Sequence, residues 1–141
     1  MINHVIVSIY TPGDDAPDLV TNFFTQATLQ LAFHDLDAMP REDGATRAYF
    51  KGEEIRLFTP AQARAILSFV ENWQRAIKAI VCHCDAGISR SSATAAVLSL
   101  LFNGQDKEFF KGRYRPNMLV YRTLLDVQHK ERIVDAPFVL S

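Results

Sequence analysis

Hydrophobic positions along this chain fall into two periods. HVIVSIY (4–10), TLQLAF (28–33) and IKAIVC (77–82) are short runs that alternate or stay apolar, and each reads as a strand. The first is stopped by the turn-rich TPGDD and the second by HDLD. The third, β-branched and uninterrupted near its end, reads as a strand buried on both faces. Residues 59–76 instead read as a helix, with Ile66, Phe69, Val70, Trp73 and the following Ile77 at spacings of three and four, one stripe. Thr59 suits its N-cap and Pro60 its first turn, and Gln62 completes a capping box. A second helix is expected from Ser89–Ser91 to the Asn103-Gly104 stop, and a third after Pro116 with Leu119, Leu124, Leu125 and Val127 inward. Residues 38–58 are mixed in character and read as a long connection with a short hairpin. The order strand, helix, strand, helix predicts an α/β fold with a largely parallel central sheet, in one domain spanning 1–141.

Composition narrows the classes without choosing among them. The 141 residues include 15 basic and 16 acidic side chains, so no global field draws the chain to nucleic acid or to an anionic membrane. The N-terminus lacks a basic region before its short apolar run, and no stretch reaches about 18 apolar residues, so a cytoplasmic protein with no membrane partner is expected. The two cysteines, Cys82 and Cys84, are separated by one residue and cannot staple distant parts of a fold.

Chemistry concentrates where the third strand meets the second helix. Ligands of open α/β sheets sit beyond the carboxyl ends of the strands, and Cys84 falls there. The following residues, DAGISRS, lead into a helix, so their N–H groups are placed to surround one centre as an anion-binding nest. Gly87 permits the backbone such a curl requires. Arg90, six residues after Cys84, is far enough along to bring its planar fork back onto the same centre. Those positive groups would also stabilise a thiolate, turning Cys84 into a nucleophile aimed at a phosphate cradle.

HCDAGISRS resembles the H-C-x5-R-S/T signature of cysteine-dependent protein tyrosine and dual-specificity phosphatases. Arginine six residues after a cysteine arises by chance about one time in twenty, but His83, Gly87 and Ser91 in a strand-to-helix context remove most coincidence. The resemblance implies a tyrosine-phosphatase-like fold: a mainly parallel sheet flanked by helices, with the phosphate loop between a central strand and a helix. It implies that Cys84 forms a cysteinyl-phosphate while the amides of Asp85, Ala86, Gly87, Ile88, Ser89 and Arg90, with the Arg90 side chain, hold the equatorial oxygens. Ser91 would assist the leaving sulfur, and His83 would orient the loop through hydrogen bonds. The general acid would be an aspartate after an upstream strand; Asp35 fits that pattern better than Asp37, the alternative. RPNMLVYRTLL resembles the family's Pro-Asn helix start, with Asn117 supporting the loop or the acid segment. No metal or cofactor is required, and the expected substrate is a phosphorylated protein or a small phosphomonoester.

Other readings use the same residues. Zinc at Cys82-His83-Cys84 is disfavoured, because alternation puts His83 on the opposite strand face and no partner pair completes four ligands. A disulfide between residues two apart on a strand spans about 6.6 Å at Cα, near the upper limit. A phosphate-binding pseudophosphatase would keep the nest without turnover, and an enzyme of RNA 5′ ends or nucleotides would want basic, aromatic surroundings that the neutral charge does not favour. A rhodanese-like sulfur carrier would also use an amide-lined cysteine, but His83 and Ser91 favour phosphate. Lys107, Lys111, Arg113 and Arg115 rim the pocket on one reading and form a solvated run on another, with Phe109, Phe110 and Tyr114 anchoring that segment.

Overall fold

The computed structural model describes residues 2–36, 49–50 and 53–137. Among them β1 (His4–Tyr10), β2 (Thr25–Ala32) and β5 (Ala79–His83) form a parallel sheet in the order β2-β1-β5. A separate antiparallel pair joins β3 (Tyr49–Phe50) to β4 (Glu53–Glu54). The helices are α1 (Pro60–Trp73), α2 (Arg90–Asn103) and α3 (Met118–Glu131), with a 3-10 turn over Lys107–Phe110. The molecule is therefore α/β with a small parallel sheet, as the alternation of periods predicts.

Pairing of β1 with both neighbours places Val7 beside Leu29 and Cys82, and Ile9 beside Leu31. These side chains share one sheet face and pack against Ala63, Ile66 and Leu67 of α1, Ala93, Val97 and Leu101 of α2, and Val120 and Leu124 of α3. Parallel strands need crossovers, and α1 supplies the one into β5, lying over the face it helps to bury.

Two strand expectations are corrected. Val81 of β5 is 44% exposed, so this strand is not buried on both faces. The loop after it also does not follow the central strand of the described sheet; β1 is central, with β5 beside it. The continuous burial from Val5 to Ile9 is what a central position requires. A short apolar run does not by itself distinguish centre from flank. β2 starts three residues earlier than its apolar pattern indicates, and β5 starts at Ala79, after Lys78 donates its N–H to Asn3.

Local signals set the helix ends. Thr59 Oγ1 accepts from the Gln62 N–H while the Gln62 side chain accepts from the Thr59 N–H, the full capping box. That helix ends at Trp73 rather than Ala76, and its buried face is Ala63, Ile66, Leu67 and Val70. Trp73 and Ile77 are only partly buried. Gly104, at φ 76°, closes α2 by returning its N–H to Leu100 O. No helix among the described residues is long and apolar enough to cross a membrane.

Candidate functional site

The carboxyl ends of β1 and β5 and the amino end of α2 meet at residues 84–90. Gly87 takes φ +67°, the left-handed backbone that turns this loop, and beyond its chain neighbours no atom lies within 4 Å of where a Cβ would sit. Two of the loop carbonyls have partners beyond the loop. Ile88 O accepts from Arg115 N (2.9 Å) and Ser92 Oγ (2.6 Å); Ser89 O accepts from Asn117 N (3.0 Å) and Ala93 N (3.1 Å). With these two carbonyls engaged, the N–H groups of 85–90 find no backbone acceptor among the described residues. Ser89, just before α2, does not cap it with its side chain. The amino end of the helix therefore lacks a side-chain cap, an arrangement that suits an anion.

Cys84 stands at the start of this loop, half-buried. Its thiol donates to Ser91 Oγ at 3.2 Å, a bond that reverses when the sulfur is ionised and the hydroxyl donates. Burial is the largest single influence and pushes the thiol up. The Ser91 hydroxyl and N–H, the Gly87 N–H and the Arg90 charge together outweigh it, so the Cys84 pKa lies below its ordinary 9.0. Cys82, by contrast, is pushed up to about 12 by burial and then by the neighbouring Cys84 charge. Both cysteines are free.

Arg90 is 5% exposed and held from several elements. Nη1 donates to Phe33 O at 2.7 Å and to Thr11 Oγ1 at 3.1 Å, and Nη2 reaches Asp85 Oδ2 at 3.3 Å. Its buried Nε has no partner among the described residues. An unsatisfied buried donor on a cation costs roughly 1–3 kcal/mol or more, which an anion in the loop would relieve.

Asp35 reaches the rim from the segment after β2. Its Oδ1 accepts from Ser89 Oγ at 2.8 Å and from Asn117 Nδ2 at 2.9 Å, while the residue itself stays exposed. Asn117 also caps α3 through Oδ1, which accepts from the Leu119 and Val120 N–H groups, and its Nδ2 reaches Leu36 O. One buried side chain thus ties helix, loop and carboxylate together. Asp37 lies outside the described residues, as does most of the 38–58 connection. The adjoining His34 is fixed by Arg56, whose N–H donates to its Nδ1 at 2.8 Å.

The remaining candidates are distributed as follows. Ala86 and Ile88 are exposed at the loop tip, and the Asp85 side chain is 58% exposed. His83 makes no side-chain hydrogen bond among the described residues, so the bond by which it was expected to orient the loop is not found. In the 107–117 segment, Phe109 packs on Tyr114 and Phe110 on Tyr121, which anchors it. Arg115 spends Nη1 on Gly112 O and Tyr114 O, both at 2.8 Å, and Arg113 lies over the Tyr114 ring. Among the described residues no group of three His, Cys, Asp or Glu is placed to hold a metal. The sequence reading missed Thr11 and the Phe33 carbonyl. Thr11 follows β1 directly, and its place at the strand's carboxyl end was the available signal.

No family model, curated protein or solved structure matches this chain.

Proposed function

We propose that this chain is a metal-independent phosphate monoester hydrolase of the tyrosine or dual-specificity phosphatase type, with the fold of that family, acting through a cysteinyl-phosphate. One observation carries the reading: a buried arginine with an unpartnered Nε lies beside a cysteine whose pKa is lowered by loop amides and a serine hydroxyl. Asp85 pairs with Nη2 alone and leaves the buried Nε without a partner among the described residues, which suits an arginine that awaits an anion.

In the first step the Cys84 thiolate attacks phosphorus, forming the S–P bond as the P–O bond to the leaving group breaks. Loop amides and the Arg90 fork take up charge on the three equatorial oxygens. Asp35 Oδ1 is occupied by Ser89 and Asn117, and Oδ2 has no partner among the described residues, so Oδ2 is the oxygen that delivers a proton to the departing oxygen. In the second step water attacks the phosphocysteine, Asp35 takes the water's proton, and the sulfur leaves as a thiolate. The Ser91 hydroxyl, 3.2 Å from the sulfur, stabilises that leaving thiolate. The substrate is a phosphorylated protein or small phosphomonoester in the cytoplasm.

Hydrolysis of p-nitrophenyl phosphate in EDTA tests this. Turnover is expected to survive chelation and to vanish with Cys84→Ser and with Arg90→Ala. Asp35→Asn is expected to lose about 10²-fold or more on an alkyl phosphate and much less on p-nitrophenyl phosphate, whose leaving group needs little protonation. Activity that Cys84→Ser leaves intact would defeat the proposal.

A further inference from the structure

The Arg90 guanidinium carries five N–H bonds, and three are engaged among the described residues. The two on Nη1 go to Phe33 O and Thr11 Oγ1, and one on Nη2 goes to Asp85 Oδ2. The remaining two, on Nε and Nη2, share one edge of the plane, the edge suited to two oxygens of a single anion. The adjoining Nη1–Nη2 edge is closed by a contact of its own: Thr11 Oγ1 donates to Asp85 Oδ2 at 3.1 Å. Thr11, Asp85 and Arg90 thus form a ring of mutual bonds joining the end of β1 to both ends of the loop.

We propose that Thr11 and Asp85 clamp the outer edge of Arg90 and act on anion affinity in opposite senses. This rests on reading the loop as a phosphate site. Thr11 is a positioning residue: its hydroxyl accepts from the guanidinium and donates to the carboxylate, fixing the plane so that the Nε–Nη2 edge faces the loop. Asp85 completes that geometry but also places a negative charge in the anion's cradle. The carboxylate opposes the ground-state binding of phosphate while keeping its receptor in place. The site therefore favours phosphomonoesters without further anionic groups beside the phosphate and releases inorganic phosphate readily.

The two roles separate by substitution in the full chain, read by orthovanadate binding, by inhibition with inorganic phosphate, and by kcat and KM on p-nitrophenyl phosphate. Thr11→Val removes the hydroxyl, leaving Nη1 with Phe33 O alone and Asp85 Oδ2 with Nη2 alone, so the guanidinium plane is less firmly held and vanadate affinity is expected to fall about tenfold. Thr11→Ser is expected to restore most of it. Asp85→Asn keeps an oxygen for both donors and removes only the charge, so vanadate and phosphate are expected to bind about threefold more tightly, limited by solvent screening at this exposed side chain. A merely structural role would weaken binding in both variants. If Thr11→Val does not fold, Thr11→Ala carries the same expectation. Changes of the same sign, or a Thr11→Ser variant no better than Thr11→Val, would overturn the clamp while leaving a Cys84-dependent hydrolase intact. A wild-type chain that neither binds vanadate nor turns over would overturn the clamp and the phosphatase reading together.

Discussion

Burial alone would silence both thiols of the Cys82-His83-Cys84 run, and it does so for Cys82, whose thiol is pushed up to about 12. Two residues further on, the Ser91 hydroxyl, two N–H groups and the Arg90 charge reverse the balance. Iodoacetamide at neutral pH should accordingly alkylate Cys84 and spare Cys82, with peptide mass spectrometry reading the site. Because the Cys84 pKa is lowered, the thiolate persists as pH falls below 9.0 and is lost only near its own lower value. Ser91→Ala removes a lowering influence, so the midpoint of the alkylation rate should move to higher pH; a midpoint moving the other way would remove Ser91 from that role. Gly87→Ala meets no atom within 4 Å, yet it forces a side chain onto φ +67°. Its cost should be about 1–3 kcal/mol of backbone strain, visible in urea unfolding, with anion affinity falling as the loop relaxes.

Helix ends show which elements belong to the fold alone and which also serve the site. Thr59 closes a capping box that shares no hydrogen bond with residues 84–90 among the described residues, so Thr59→Ala should cost about 1 kcal/mol in urea unfolding and leave turnover unchanged. Asn117 caps α3 and also holds Asp35 and Leu36. Asn117→Ala should therefore cost at least as much stability and also lower kcat on alkyl phosphates. Equal loss of activity in the two variants would indicate that both act through stability. The capping box, the Gly104 stop and the Pro-Asn start of α3 were legible because each is a local bargain between a few neighbouring residues. Strand ends were less legible. Thr25–Ala27 join β2 through pairing with β1, a non-local gain that their own pattern does not announce.

Across the whole molecule, the site is assembled from segments far apart in sequence. Thr11 reaches Asp85 across 74 positions and Asn117 reaches Asp35 across 82, contacts that exist only because β2, β1 and β5 run parallel and end together. The Cys84-to-Arg90 loop could be read from adjacent residues, whereas Thr11 and the Phe33 carbonyl needed the strand order, which no local pattern contains. The same strands rest on a helical layer in which Leu124 is fully buried. Leu124→Ala should destabilise by about 2–5 kcal/mol and lower activity only to the extent that the chain unfolds. Whether phosphate passes through Cys84 is decided by rapid acid quench of the chain with p-nitrophenyl phosphate, followed by mass spectrometry of the Cys84 peptide. A phosphoryl group on Cys84 during turnover, and none in Cys84→Ser, is the expected result. Steady hydrolysis with no phosphorylated Cys84, undiminished in Cys84→Ser, would contradict it.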